Sequence, residues 1–408
     1  MGTLIQQFAL SLYVLKTTGS GTLFATVIAA GTIPRLFLGP IGGVLADKLD
    51  RKKTFVSLDI ASGLLTLSFA LIFVFKGYLS FYEILVYVVL LQVISAFFDP
   101  AISTVMPSIL SKEELMTGNA FLSTMRQVAS VLSPVIAGLL YGYLGLFIVM
   151  LINGVSFLLS GVSEIFIEMP PMHVEDKRVS FEHIRKDFKT GLNFLKKSQV
   201  AMGVIFLGVF VNFAFSGMFN VLLPYAFIQK FHISESLYGT FTSVTFIGMI
   251  IGPALGAMWS KKDSTERIVV ISMSSVAGLM LFLGLYTSPI MPQFFHTTTG
   301  ILFGTGVFMF MICLLIAIVN VCISTHFQKV VPLEMMGRVG SVFSTFMMAS
   351  SPLGQMLFGI MVDKVEPSIG FAFTSLFGFI GIIGFWRLTR KNTQETSQLE
   401  AVNTEGIS

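Results

Sequence analysis

The sequence contains eleven apolar runs that are each long enough to cross a lipid bilayer as a helix. A helix needs about 20 apolar residues to span the hydrocarbon core. Backbone groups in lipid must be hydrogen-bonded within the protein, which such long continuous runs achieve as helices. Only 12% of the residues are charged, against about a quarter in soluble proteins. We therefore predict an all-α polytopic membrane protein with spans at roughly 21–46, 54–75, 80–105, 118–142, 146–168, 200–228, 236–259, 267–287, 297–325, 337–361 and 369–389.

A further apolar run, Leu4–Leu15, is too short to cross the bilayer. The loop charges described next require an even number of spans, so residues 1–16 are interpreted as the second half of a first helix. A signal peptide fits less well, because no basic segment or small-residue cleavage site precedes Gly2. The expected fold has twelve transmembrane helices, the first of them truncated.

Lysine and arginine are distributed unevenly between alternate loops. Of the 26 basic residues, 20 fall in one set of loops, and the other set receives only Lys16, Lys76, Lys230 and Lys364. Positive residues are enriched in the cytoplasmic loops of membrane proteins. We therefore expect a multi-pass protein of the cell membrane with both termini in the cytoplasm.

A long polar interruption, Pro170–Gln199, divides the chain into two halves. Apolar residues recur in it at three- and four-residue spacing, and basic residues occupy the other faces. This pattern is typical of an amphipathic helix that lies on an anionic membrane leaflet, and a solvated linker helix is the alternative. The predicted parts are an N-terminal six-helix bundle (1–168), a cytoplasmic linker (169–199), a C-terminal six-helix bundle (200–389) and a cytoplasmic tail (390–408).

The two halves share short motifs at similar offsets. The G-P-x-x-G motif at 39–43 recurs at 252–256, and the S-P pair at 133–134 recurs at 351–352. Each recurrence falls in the equivalent span of the other half. Two matches at nearly equal offsets indicate a duplicated six-helix unit, a common architecture of secondary transporters.

The segment GVLADKLDRKK at 43–53 resembles the loop signature G-x-L-A-D-R-x-G-R-K of the major facilitator superfamily. Asp50, Phe98–Ala101 and the start of the fifth span at 118–120 resemble the branch of macrolide-efflux proteins and siderophore exporters. The resemblance covers essentially the whole chain. It implies a secondary transporter with two six-helix bundles around a midplane cavity, which exports an amphipathic small molecule, such as a macrolide, against proton entry by alternating access.

Other functions explain less of the sequence. A siderophore or lipid-like metabolite is the alternative cargo in the same fold, whereas a non-transporting receptor or scaffold leaves the loop signature and the repeat unexplained. The five histidines lack metal-ligand spacing, and Cys313 and Cys322 face opposite sides of one helix. We therefore expect no enzyme activity, no cofactor, no bound metal and no nucleic-acid partner. The expected protein is a monomeric antiporter in the bilayer, coupled to protons and associated with drug resistance.

Charged residues after the second span are predicted to form a cytoplasmic gate. In relatives, the aspartate at the position of Asp47 lies against the N-terminus of the eleventh helix, which here begins near Gly337. The helix dipole stabilises a carboxylate there by roughly 0.3–1 kcal/mol. The alternative is that these charges only set the topology. The predicted gate residues are Gly43, Asp47, Asp50, Arg51, Gly337 and Arg338.

Four ionisable residues lie within spans of the first half, where each costs about 2.5–3.5 kcal/mol at a helix centre. Two acids and two bases favour an internal charge network. Asp99, on the fourth helix, is the first candidate for proton coupling, and a structural salt bridge is its alternative. Asp59 lies nearer the cytoplasmic loop and fits a scaffold for the gate. The predicted network contains Arg35, Asp59, Asp99 and Arg126.

Two asparagines of the seventh span are predicted to contact the substrate in the cavity. Asn212 and Asn220 are eight residues apart, which places them about 80° apart around a helix. Glu83 and Glu164 lie close to span ends and are predicted to be interfacial.

Overall fold

The computed structural model of this protein describes residues 1–46, 50–103, 114–167, 181–259, 264–291 and 297–405, and all regular elements among them are helical. The principal helices are α1 (Gly2–Thr18), α2 (Gly21–Ala30), α3 (Ile33–Ala46), α4 (Arg51–Lys76), α5 (Phe81–Ser103), α6 (Leu115–Ile165), α7 (Phe181–Lys197), α8 (Gln199–Gly217), α9 (Glu235–Trp259), α10 (Thr265–Tyr286), α11 (Thr298–Val330), α12 (Met336–Val362) and α13 (Pro367–Glu405). After α8 the chain continues through π-helical segments at Met218–Leu222 and Ala226–Lys230, and a 3-10 turn at Leu333–Met335 precedes α12.

Within the described residues, ten helical segments are long and apolar enough to cross a membrane. This confirms the predicted all-α, multi-pass fold, although the count of twelve spans is not confirmed. Helix α1 has 17 residues, about 26 Å at 1.5 Å per residue, which is shorter than the ~30 Å hydrocarbon core.

Helix α6 contains two predicted spans that join at Gly145. This residue has φ 78° and ψ 175° inside a segment of 51 residues, a conformation that glycine adopts without the clash of a Cβ atom. A continuous helix of that length would extend about 76 Å, far more than one bilayer. Gly145 therefore separates two helices, as the predicted boundary between 118–142 and 146–168 requires.

The chain divides into two compact units whose boundaries differ from the predicted bundle boundary. Unit 1 contains short pieces of the second sequence half in addition to the first half. Unit 1 comprises Met1–Arg178, Asn220–Val244 and Gln355–Asp363, and unit 2 comprises Val179–Phe219, Thr245–Gly354 and Lys364–Ser408. The two six-helix bundles remain a prediction.

In unit 1, helices α4 and α6 approach each other closely at glycines. A Cβ atom on Gly63 would lie 2.7 Å from the Leu158 side chain, and one on Gly154 would lie 2.8 Å from that of Leu67. A Cβ atom on Gly161 would lie 2.9 Å from the Ile60 side chain. Small residues permit such close helix contacts in lipid. The contact fixes which polar side chains of α4 and α6 meet.

In unit 2, the apolar face of the linker helix α7 is buried against protein. Leu195 is 1% exposed and belongs to a core cluster with Val339 and Val342 at the start of α12. A Cβ atom on Gly191 would lie 2.5 Å from the backbone oxygen of Arg338. The sequence suggested a helix on the membrane leaflet or a solvated linker helix. Neither interpretation predicted that α7 packs against the other helices of unit 2.

Candidate functional site

Two acidic side chains of unit 1 meet inside its apolar helices. Asp59 on α4 is 4% exposed and Glu164 on α6 is 8% exposed, and their carboxyl groups lie next to each other. The hydroxyl of Ser160, one helical turn before Glu164, donates to Glu164 Oε1 at 3.3 Å and also lies within reach of Asp59. The three residues form a buried carboxyl pair with one hydroxyl beside it.

A hydrogen bond between two carboxyl groups requires a proton on one of them. With both groups ionised, the buried Glu164 Oε2 has no hydrogen-bond donor, and like charges repel strongly in an apolar environment. One proton shared between them removes one of the two charges and supplies a donor for a hydrogen bond between the two groups. The Asp59–Glu164 contact is therefore chemically suited to bind one proton when closed and to release it when the groups separate or become hydrated.

The sequence grouped these residues differently. From the sequence, Asp59 was predicted to belong to a network with Arg35, Asp99 and Arg126, and Glu164 was predicted to lie at the membrane interface. The structure instead brings Asp59 and Glu164 together. Arg35 has an exposed side chain, and the side chains of Asp99 and Arg126 lie outside the described ones. The network remains a prediction. The sequence signal for Glu164 is the series of serines before it, at 156, 160 and 163.

Three of the six predicted gate residues fall outside the described side chains. Asp47 is not among the described residues, and for Gly43 and Arg51 only the helical backbone is described. Asp50 is the N-cap of α4, where its Oδ1 accepts a hydrogen bond from the backbone N–H of Lys53 at 3.1 Å. Side-chain oxygens at this position satisfy helix N–H groups, so Asp50 orders the start of α4.

The two gate residues predicted at the start of α12 are described. Gly337 lies in its first turn, where an added Cβ atom would meet no heavy atom within 4 Å. Arg338 Nε forms an ion pair of 2.8 Å with Asp187 Oδ1 on the linker helix α7. Arg338 therefore ties α12 to α7 within unit 2, and the contact predicted between Asp47 and this helix remains a prediction.

The two asparagines predicted to contact substrate have different surroundings. Asn212 Nδ2 donates to the backbone oxygen of Met347 at 2.5 Å and to Ser350 Oγ at 3.0 Å, which joins α8 to α12 in unit 2. Both amide protons of Asn212 are thereby engaged. Asn220 lies in the π-helical segment of unit 1 and is exposed. A substrate contact by either asparagine remains a prediction.

Unit 1 also contains a small cavity that the sequence did not indicate. Its volume is about 20 Å³, enough for one water molecule, and residues of α1, α2 and α5 line it. Gln6 is 1% exposed; its Nε2 donates to the Tyr87 hydroxyl, and its Oε1 accepts from Asn153 Nδ2. The Tyr87 and Thr66 hydroxyls are hydrogen-bonded at 3.0 Å. One amide in a long apolar run changes the mean hydropathy of the run little, so the sequence gives a weak signal for it.

A contact between Asp363, directly after α12, and the start of α2 joins the two sequence halves inside unit 1. Asp363 Oδ1 accepts from the Gly21 N–H at 2.6 Å, and Oδ2 accepts from the Thr22 N–H and the Ser20 hydroxyl, each at 2.9 Å. The first N–H groups of a helix have no acceptor within the helix, and its dipole favours an anion there. We call this arrangement the outer contact, since the lysine distribution predicts these loops to be extracellular.

Further contacts link α1 to the same part of the second half. Lys16 Nζ pairs with Glu235 Oε1 at 2.8 Å, and Gln229 Nε2 donates to the backbone oxygen of Leu15 at 2.7 Å. The rings of Phe8 and Tyr238 stack with centroids 5.9 Å apart. Together with the outer contact, these polar and aromatic contacts hold residues 220–244 and 355–363 against the N-terminal helices of unit 1.

The ionisation of Asp363 is tied to the outer contact. Burial raises the pKa of its carboxyl, but the hydrogen bonds from Thr22, Gly21 and Ser20 outweigh burial and hold the pKa below its ordinary value. A carboxyl with a lowered folded-state pKa adds stability above its unfolded pKa of about 3.9 and loses that contribution as pH falls through the folded value. The outer contact is therefore fully charged at neutral pH and weakens only below about pH 4.

We expect Asp363→Asn to open the outer contact more often, because asparagine keeps one acceptor oxygen and loses the negative charge. The measurement is labelling of a cysteine at Ala25, which is fully buried beside Gly359, by a membrane-impermeant maleimide. Labelling should be several-fold faster in Asp363→Asn than in the parent. The matched control, Glu366→Gln, removes the same charge from the same loop and should leave the rate unchanged. Equal rates in all three proteins would show that Asp363 does not hold this contact closed.

Comparison with known proteins agrees with this architecture. The sequence model of the Major Facilitator Superfamily matches residues 1–354 and 205–405. Macrolide efflux protein A of Streptococcus pyogenes is 24% identical over 371 residues, 88% of this chain and 86% of the relative. The enterobactin exporter EntS of Escherichia coli O139:H28 is 26% identical over 361 residues, 86% of this chain and 79% of the relative.

Solved structures have the same fold at low sequence identity. A bacterial homologue of the iron transporter ferroportin, in an inward-facing state, superposes with a TM-score of 0.72 at 14% identity. The match covers 95% of this chain and 96% of that one. With matching sequence over nearly its whole length and a shared helical fold, this chain belongs to the Major Facilitator Superfamily of membrane transporters and is not an enzyme.

Proposed function

We propose that this transporter exports an amphipathic small molecule from the cell in exchange for protons, by alternating access. Relatives named for macrolide efflux and enterobactin export support the outward direction and this size of cargo. A macrolide-like drug or antibiotic is the first candidate, and a siderophore or lipid-like metabolite is the alternative. We place both termini in the cytoplasm because 20 of 26 basic residues fall in the loops of that side, and we propose a monomer.

The observation that supports proton exchange is the buried pair of Asp59 and Glu164. Ionisable side chains within apolar spans are costly, and intramembrane acids often serve proton relays. Two carboxyl groups in contact share one proton, whereas separated or hydrated groups can both ionise. A rearrangement of α4 against α6 would thus couple proton release to conformation. Asp99 is the alternative coupling residue predicted from sequence.

The outer contact supports the alternating-access part of the proposal. It consists of hydrogen bonds to one exposed carboxylate and of small residues packed together: a Cβ atom on Gly21 would lie 3.2 Å from the backbone oxygen of Gly359. Such a contact is reversible, because water and the helix N–H groups can exchange partners when it opens. A transporter that releases cargo outside requires a closure of this kind, able to open on the extracellular side.

The test of the proposed function is transport in inside-out membrane vesicles with an imposed pH gradient. Vesicles that contain the protein should accumulate radiolabelled erythromycin when the vesicle interior is acidic. A protonophore, which collapses the pH gradient, should release the accumulated erythromycin. Vesicles without the protein provide the background. Accumulation that ignores the pH gradient would contradict proton exchange, and the absence of any accumulation would exclude macrolides as cargo.

A further inference from the structure

The linker helix α7 carries a basic face that its packing leaves open. At 100° per residue, its basic side chains fall within a sector about 120° wide. All of them are exposed: Arg185, Lys186, Lys189, Lys196 and Lys197. None of the five forms an ion pair with another side chain that the structure describes. The sequence adds one acid to this sector, Glu182, whose side chain is outside the described ones, so positive charge dominates the face.

The opposite, apolar face of α7 is occupied by protein. Leu195 is buried in a core cluster with Val339 and Val342 of α12, and Gly191 lies against the backbone oxygen of Arg338. An amphipathic helix on a leaflet inserts its apolar face among the acyl chains. That face of α7 would have to leave unit 2 to do so, and the charged face is therefore the one available to lipid.

Helix α7 lies at the ends of three candidate spans, which places it at the depth of the lipid headgroups. Lys196 and Lys197 come just before α8, the first part of one span. The core cluster of α7 also includes Phe327 near the end of the span in α11 and Val339 near the start of the span in α12. The headgroup layer begins where the apolar part of a span ends, and charges attract one another over about 8 Å at physiological salt.

We infer that the basic face of α7 binds the anionic headgroups of the adjacent lipid leaflet. Clusters of four to eight lysines and arginines beside a span attract anionic lipids. The ion pair of 2.8 Å between Arg338 and Asp187 holds α7 on α12, so the face is presented on a fixed helix that does not insert. Four of its five charges are lysines, which act as point charges without a bidentate geometry. The face therefore selects lipids by charge and not by headgroup shape.

The first test follows lipid binding with a fluorophore on Asn193→Cys, an exposed position inside the basic sector, in a chain whose buried cysteines are replaced by serine. The purified full-length protein is titrated with phosphatidylglycerol or phosphatidylcholine, each spin-labelled near the headgroup. Phosphatidylglycerol should quench the fluorophore at a concentration at least tenfold lower. Equal quenching by the two lipids would mean that the face is solvated or serves an acidic protein, and the inference would fail.

Matched variants distinguish charge from other properties of the face. Lys186→Gln/Lys189→Gln/Lys196→Gln should weaken binding of phosphatidylglycerol at least tenfold, since each basic residue near an anionic surface contributes about fivefold. Binding of phosphatidylcholine should not change. The control Lys186→Arg/Lys189→Arg/Lys196→Arg keeps the charges and should bind as the parent does. A loss as large in the arginine variant as in the glutamine variant would contradict binding by charge.

The second test uses the parent chain alone, so it decides the inference even if a substitution disturbs folding. Raising the salt concentration from 0.1 to 1 M shortens the screening length from about 10 to about 3 Å. The preference for phosphatidylglycerol should then fall to less than about twofold, because the charges of an exposed face are screened. A preference that survives 1 M salt would assign lipid binding to an enclosed pocket elsewhere and would overturn the inference.

Discussion

Glu164→Gln and Asp59→Asn are each expected to reduce pH-gradient-driven accumulation of cargo at least tenfold while passive exchange stays measurable. Either amide imitates a carboxyl that is permanently protonated, so the buried pair can neither take up nor release its proton. Both variants can keep a hydrogen bond between the two side chains, because an amide N–H can donate to the remaining carboxylate. We therefore expect normal membrane insertion together with lost coupling, measured as accumulation against counterflow in the same vesicles.

A matched control distinguishes coupling from a general charge effect. Glu83→Gln also removes an acid at the end of a span, but Glu83 pairs with Lys76 at 2.7 Å near the surface, so accumulation should change little. The double variant Asp59→Asn/Glu164→Gln should be no worse than either single variant, because residues that act as one unit are not additive. If Glu164→Gln pumps cargo at the parent rate with unchanged pH dependence, the Asp59–Glu164 pair has only a structural role. Asp99 would then be the candidate for proton coupling.

A covalent lock across the outer contact is expected to abolish transport and to release it on reduction. Ser20 Oγ and Asp363 Oδ2 are 2.9 Å apart, so Ser20→Cys/Asp363→Cys places two sulfur atoms close enough for a disulfide or a short thiol cross-linker. A locked outer side cannot open, so cargo export should fall to the vesicle background. The native Cys313 and Cys322 are buried and are replaced by serine to keep the chemistry selective.

The single variants control for the loss of the hydrogen bonds themselves. Ser20→Cys and Asp363→Cys alone should keep measurable export under oxidising conditions, and reductant should restore the double variant to their level. Full export by a protein shown to be cross-linked would contradict the need for this contact to open in each cycle. The cross-linking experiment tests whether the outer contact opens during transport, whereas the Asp59 and Glu164 variants test proton coupling. Either hypothesis can therefore be rejected without the other.

Features that depend on one stretch of chain were predictable from the sequence. The multi-pass helical fold follows from apolar runs, since about 20 consecutive residues decide whether a segment spans the bilayer. The family followed from the motif at 43–53, and its model matches the chain nearly end to end. The break predicted between 142 and 146 contains Gly145, and a residue that lacks a Cβ atom accepts the positive φ needed to end one helix and begin another.

Features that depend on two distant stretches were decided only by the tertiary structure. Asp59 and Glu164 meet because glycines at 63, 154 and 161 bring α4 and α6 into a particular register and rotation, which hydropathy does not encode. The Gln6–Asn153 hydrogen bond spans 147 positions, and the outer contact joins residues more than 340 positions apart. Hydrophobicity assigns a residue to the membrane, whereas close packing of whole helices determines which polar side chains share a site.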